Sequence, residues 1–217
     1  MMKKNILIIG TGGHARSCID VIESTNQYRV FGLIAKSKSE KNNLQNYKIV
    51  GLEKDLNFLF KKVKYALIAF GGIKKTFSRE ALFKKLKKIG YILPIIQSKY
   101  SYVSKNSKVS EGTIIMNGSF VNFGSKIGKN CIINSKAIIE HDVIVGDNSQ
   151  ISPGVILCGS TSIGDNSFIG AGSVIKENIK VSSSCIVGAN SYLDKNLSEK
   201  NVYIIKGQKI FKKNEIR

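Results

Sequence analysis

The sequence has no tryptophan, two prolines, two histidines and four arginines in 217 residues. Each scarcity excludes something. With only His14 and His141 available, one chain cannot build a histidine-rich metal centre. The four cysteines, Cys18, Cys131, Cys158 and Cys185, show no metal-type pairing. No apolar run approaches the ~20 residues that cross a membrane. The longest, Tyr65 to Ile73 and Tyr91 to Ile96, are strand-sized. Met1 to Lys4 followed by Asn5–Ile9 mimics the start of a signal peptide, but a glycine turn stands where a cleavage site would be. A cytoplasmic location is therefore expected. The shortage of arginine bears on charge. Thirty of the 34 basic residues are lysine, against 15 acidic ones, for a net charge of +19. Base-reading surfaces favour the forked contacts of arginine. The lysine excess suits anionic small molecules better than sequence-specific nucleic acid.

What is present falls into two halves. Residues 1–96 alternate apolar runs with amphipathic stretches. Asn5–Ile9 reads as a strand, Gly10 to Ala15 as a glycine turn, and Ala15 to Ser24 as a helix. Val30–Ala35 and Lys64–Phe70 read as further strands. Phe77–Ile89 reads as a basic helix with Ala81, Leu82, Leu86 and Ile89 on its apolar side, and Ile92–Ile96 as a last strand. Strands alternating with helices imply a small, open, parallel α/β sheet.

From Val103 the period becomes six. Sixteen consecutive first positions, every sixth residue from Val103 through Val145 to Leu193, are all aliphatic over 96 residues. The fifth position is mostly small, as at Ser107, Thr113, Ser119, Ser125, Cys131 and Ala137. The fourth is Gly or Asn in twelve of sixteen hexads. Those two residues tolerate positive φ, so a turn recurs every six residues. A period of six fits neither a helix nor a lone strand. Short strands meeting at corners, three to a coil of 18 residues, satisfy it and stack the aliphatic side chains down a solenoid axis. Cys131 and Cys185 then lie three coils apart, about 14 Å at ~4.8 Å per coil, too far for a disulfide. They read as small core residues.

Two places can hold chemistry. His141 occupies the third position of its hexad, whereas first and fifth positions point inward. It therefore projects outward, and histidine is the side chain suited to accept a proton near neutral pH. Gly10-x-Gly12-x-x-Ala15 fits the loose dinucleotide-binding fingerprint. A nicotinamide enzyme would want an acid after the second strand, but Ala35-Lys36 stands there.

A short α/β domain with Gly10-x-Gly-Gly-His-Ala15, followed by hexads carrying Ile139-Glu-His-Asp142, resembles one family. It is the hexapeptide-repeat sugar acyltransferases, which include sialic acid O-acetyltransferases and nucleotide-amino-sugar N-acetyltransferases of the bacillosamine and perosamine type. The resemblance implies a Rossmann-like acceptor domain over residues 1–100. It implies a left-handed parallel β-helix over 101–198, and a C-terminal tail at 199–217 near the CoA site. It implies acetyl-CoA as co-substrate, no metal, and a homotrimer with acetyl-CoA between neighbouring β-helices. His141 matches the catalytic base and Asp142 the acid that supports it. A carboxylate beside an imidazole favours the protonated ring. Gly12, Gly13, His14 and Ala15 match the turn that holds the nucleotide-sugar acceptor, where backbone amides face a diphosphate at a helix N-terminus. Asn134 matches a substrate contact, and Ala171 and Ala189 match backbone contacts to CoA. Gln150 aligns with a family histidine near the thioester. It can donate a hydrogen bond but cannot titrate.

The function implied is acetyl transfer from acetyl-CoA to the amine of a nucleotide-linked amino sugar, by direct attack on the thioester. O-acetylation of sialic acid or a related sugar is the alternative within the family. A non-catalytic basic solenoid is the alternative outside it. Departures from the family pattern are Ala35 and Lys36 in place of acids, Gln150 in place of histidine, and Ile205-Lys-Gly-Gln208 in place of a proline-containing turn. The charge divides unevenly. Residues 1–102 carry 20 basic and 6 acidic side chains (+14), 103–198 carry 8 and 7 (+1), and 199–217 carry 6 and 2 (+4).

Overall fold

The computed structural model describes residues 3–37, 46–73 and 75–198, with the strand backbone at 202–203, 205–206 and 209–210. The expected placement of the 199–217 tail near a CoA site therefore lies outside the described side chains. Strands β1 (Lys4–Ile9), β2 (Tyr28–Ala35), β3 (Ile49–Leu52) and β4 (Tyr65–Ile68) form one parallel sheet in the order β3-β2-β1-β4. Helix α1 (Gly13–Thr25) connects β1 to β2. A single 3-10 turn at Glu53–Asp55 runs into α2 (Leu56–Leu59) after β3, and α3 (Thr76–Ile89) follows β4. Leu7, Ile9, Ile34, Ala66 and Ile68 pack with Leu82 and Leu86 of α3 on one side of the sheet. Ile6, Ile8 and Leu33 pack with α1 on the other. Both faces of the sheet are covered, as all-parallel sheets require.

The run expected as a last strand is divided. Ile92 bridges Tyr65 at the edge of the sheet, whereas Ile96–Gln97 pairs in parallel with Ile114–Ile115. Ile96 thus opens the solenoid. Two-residue strands then recur every six residues and pair with the strand 18 residues on, as Ile132↔Gln150 and Ile138↔Ile156 show. Three parallel sheets result. The first face carries Ile114–Ile115, Ile132–Ile133 and Gln150–Ile151. The second carries Phe120–Val121, Ile138–Ile139 and Ile156–Leu157. The third carries Lys126–Ile127, Ile144–Val145 and Ser162–Ile163. First-position aliphatics from Ile115 to Leu193 are buried in one axial core, with Val103 and Val109 packed partly against it. Cys131 and Cys185 lie in that core, and neither is in a disulfide.

The hexad preferences have direct causes. Fourth positions from Gly112 to Asn190 all take positive φ, including Lys136, Asp142, Ser160 and Ser184. Fifth-position hydroxyls close the coils: Ser125 Oγ donates to the Glu140 carbonyl at 2.7 Å, and Thr113 Oγ1 to Gly128 at 2.8 Å. These buried hydroxyls are satisfied this way without widening the prism.

The sheet domain sits on the first face. Ala15, Cys18, Ile19 and Ile22 of α1 share one buried cluster with Ile96, Ile114, Met116 and Ile132. The second face differs. Its outward side chains are Tyr102, Phe120, Ile138, Ile156, Val174 and Tyr192, and all are at least partly exposed. The third face presents Lys108, Lys126, Ile144, Ser162 and Lys180.

Candidate active site

His141 stands at the corner between the second and third faces. Its Nδ1 lies 3.0 Å from Asp142 Oδ2. Asp142 is held there by its turn, with φ +59 and its backbone N–H donated to Phe123 O at 2.9 Å. Asp, although shorter than Glu, reaches the ring. With Nδ1–H given to the carboxylate, Nε2 carries the lone pair and is the nitrogen able to take a proton. The ring lies along the coil surface over Gly159, where a Cβ would stand 2.5 Å from Nε2. Position 159 is 141 plus one coil of 18 residues. That spacing was the available signal for Gly159, which sequence reading passed over. Both side chains of the pair remain 59% exposed. Beside them, Asn122 Nδ2 donates to Glu140 Oε2 at 2.8 Å.

The glycine turn forms a separate site at the carboxyl edge of the sheet, the usual ligand edge of open α/β folds. A cleft of about 550 Å³ opens there, lined by Gly10, Thr11, Gly12, Lys36, Glu53, Phe70, Lys75, Ser78, Ala81 and Lys85, with Ile9, Ile34 and Leu82. The glycines have different tasks. Gly10 has φ +128, and a Cβ there would lie 2.9 Å from Ala69 O, so packing demands it. At Gly12 and Gly13 an added Cβ would meet nothing within 4 Å. Those two leave open surface beside backbone amides. No side chain caps α1 at Gly12, and none caps α3 at Lys75. Two bare helix N-termini and three lysines thus face one cleft, an arrangement that attracts anions.

Between cleft and solenoid lies a buried clamp that the sequence did not announce. Arg79 is 1% exposed. Its Nη1 donates to Ile68 O (3.0 Å) and Phe70 O (2.6 Å), and its Nη2 to Asn130 O (2.8 Å) and Oδ1 (2.9 Å). Burial pulls its pKa down to about 10, with no carboxylate beside it. It sits three and seven residues before Leu82 and Leu86, which share its buried stripe. The matching residue on the solenoid side is Gln150, whose Oε1 accepts the Gly72 N–H at 2.8 Å. Gln150 is accordingly 8% exposed, on the first face. His14 lies nearby with its Nε2 buried and unpartnered among the described residues. Burial, and secondly the Arg79 charge, push its pKa down to about 4. Ala15 is fully buried against the solenoid and offers a ligand only its backbone.

The remaining expected residues occupy the corner between the first and second faces. Asn134 is half-buried, and its Oδ1 accepts the Ser135 N–H at 2.9 Å. Ala171 and Ala189 are exposed one coil apart, and Ala171 O accepts the Asn190 N–H at 2.8 Å. The expected residues therefore form three groups rather than one. His141 and Asp142 stand at the corner opposite the first face. Gly12, Gly13, His14 and Gln150 belong to that first face and the domain upon it. Among the described residues no cluster of three or more His, Cys, Asp or Glu could hold a metal. No described helix is long and apolar enough to cross a membrane.

The PglD N-terminal domain family matches residues 5–86. Bacterial transferase hexapeptide (six repeats) matches 124–159, and the hexapeptide repeat of succinyl-transferase matches 160–195. The acetyltransferase domain of PglB from Neisseria gonorrhoeae FA1090 has the same fold, with TM-score 0.88 at 22% identity, covering 96% of this chain and 100% of that one. Perosamine N-acetyltransferase from Caulobacter crescentus, as a variant in complex with CoA and GDP-perosamine, aligns with TM-score 0.88 at 25% identity over 95% and 96% of the two chains. The chain joins a PglD N-terminal domain to transferase hexapeptide repeats. WeeI from Acinetobacter baumannii AYE aligns with TM-score 0.82 at 22% identity over 96% and 100%. No curated protein matches the chain in sequence. The chain thus has the Rossmann-like sheet and left-handed β-helix expected of it, and its repeats match transferase repeats, so the non-catalytic solenoid is set aside.

Proposed function

We propose that the chain transfers acetyl from acetyl-CoA to the amino group of a nucleotide-linked amino sugar, with His141 as general base. The outward His141–Asp142 pair is the observation that carries this reading. The amine lone pair attacks the thioester carbonyl carbon. His141 Nε2 takes the amine proton, and Asp142 stabilises the resulting imidazolium. The adduct collapses with cleavage of the C–S bond. The CoA thiolate leaves and takes the proton back from His141. Gln150 spends its Oε1 on Gly72, which orients its amide nitrogen as a donor for the thioester carbonyl. Acetyl-CoA makes the cytoplasm the expected place of action.

The acceptor class rests on the cleft. Open glycines, two bare helix N-termini and three lysines suit a diphosphate. That favours an N-acetylated nucleotide sugar over the O-acetylation of a free sugar acid.

One chain does not complete the site, because His141 stands opposite the face bearing the acceptor domain. A homotrimer resolves this. The apolar second face runs between the corner of His141 and the corner of Asn134, Ala171 and Ala189. Packing that face around a threefold axis sets one copy's His141 corner beside its neighbour's Asn134 corner, and closes without a free edge. The groove so formed is where acetyl-CoA would lie.

The test is thiol release from acetyl-CoA with UDP-, GDP- and dTDP-amino sugars, sialic acid and CMP-sialic acid as acceptors. Turnover with a nucleotide amino sugar is expected, and no turnover with any acceptor overturns the reading. His141→Ala should lower the rate by about two to four orders of magnitude and leave the oligomer intact. Near-normal activity in that variant means the base lies elsewhere.

A further inference from the structure

The acceptor cleft contains one feature that diphosphate binding does not use. Glu53 lines it among three lysines, and its carboxylate has no protein partner among the described residues. Its backbone carbonyl is taken by Lys85 Nζ at 2.9 Å, which holds the residue at the cleft wall. Asp55, two residues on, is committed, since its Oδ2 accepts the Leu52 N–H at 2.9 Å. Glu53 is half-buried and negative in a positive cleft. A diphosphate alone would bind better without it.

The sheet order gives the carboxylate a place along the ligand. The uncapped helix N-termini follow β1 and β4, at one end of the carboxyl edge. Lys36 follows β2 and Glu53 follows β3, at the other end. A nucleoside diphosphate with its phosphates at Gly12 would extend its nucleoside toward Lys36 and Glu53. In open α/β nucleotide sites a carboxylate after the second strand accepts from ribose hydroxyls. Here β2 ends in Ala35-Lys36, and the carboxylate comes from the neighbouring strand. An ionised carboxylate accepts with two oxygens. A ribose diol donates with two hydroxyls.

We infer that Glu53 binds the 2′,3′-diol of a ribonucleotide acceptor and sets the preference for ribose over 2′-deoxyribose. This rests on the nucleotide acceptor proposed above. The experiment is calorimetric titration of the full chain with UDP, GDP and their 2′-deoxy counterparts. The wild type should bind the ribonucleotides about tenfold tighter, the scale of one charge-assisted hydrogen bond. Glu53→Ala should bring that ratio to about one by weakening the ribonucleotides more than the 2′-deoxynucleotides, which lose only the 3′-hydroxyl contact. Equal tightening of all four ligands means Glu53 acts only as a negative charge and overturns the inference. An unchanged ratio in Glu53→Ala, or no preference in the wild type, also overturns it while leaving the nucleotide acceptor standing. Binding of none of the four overturns both.

Discussion

A methyl group at position 159 would lie 2.5 Å from His141 Nε2 and 2.6 Å from its Cε1. The obstacle is the exposed end of a side chain, so the coil can keep its shape while the ring swings away. Gly159→Ala should therefore cut kcat by about ten- to a hundredfold, the cost of misplacing a base, with an unchanged melting temperature. A parallel fall in melting temperature would point to damage in the coil instead. The other histidine responds to pH. His14 is held at about 4 when folded, against 6.5 for an unhindered imidazole. Between those values the unfolded chain binds the extra proton and the folded one does not. Stability is therefore undiminished above pH 6.5 and is lost as pH falls toward 4, by about 3 kcal/mol in all. Imidazole NMR can read this directly, since the chain has only two histidines. Folded-state titration of His14 near pH 6.5 contradicts the burial.

Helix α3 shows what the sequence disclosed at the scale of an element and what it did not. Reading it as Phe77–Ile89 located it within one residue of Thr76–Ile89. Its inner stripe was read less well. Ala81, assigned to the apolar side, is exposed at the cleft, and Arg79 is buried in its stead. A cation in an amphipathic pattern reads as solvated unless its acceptors are known. Three of these acceptors are carbonyls of Ile68, Phe70 and Asn130, invisible to a side-chain pattern. Strand β3 was missed for a related reason. Ile49–Leu52 is short and contains Gly51, and only its pairing with β2 makes it a strand. The hexads were legible because their cause is local, one turn and one buried side chain every six residues. Arg79→Met should test the clamp. It leaves four acceptor atoms without their donor and should cost about 3 kcal/mol or more in urea denaturation. It should also raise the His14 pKa by removing the neighbouring cation. A variant as stable as the wild type would show that water replaces the guanidinium.

For the whole molecule, charge and shape divide the labour. The sheet half carries +14 and the prism only +1, so the attraction for anions resides on the domain that holds the cleft. The prism contributes straightness and two chemically different corners. His141 and Gln150 are nine residues apart, half of an 18-residue coil. Half a turn places them on opposite sides of one chain at almost any coil diameter, so no adjustment within a single copy brings them together. In genetic terms the trimer proposed above predicts complementation between two defective copies of the same chain. A His141→Ala chain and a chain disabled at its acceptor cleft are each inactive alone. Unfolded together in equal amounts and refolded, they should regain about a quarter of wild-type activity, because random cyclic assembly pairs an intact base with an intact neighbouring cleft at one site in four. A mixture as inactive as its parents would place base and cleft in the same chain's site.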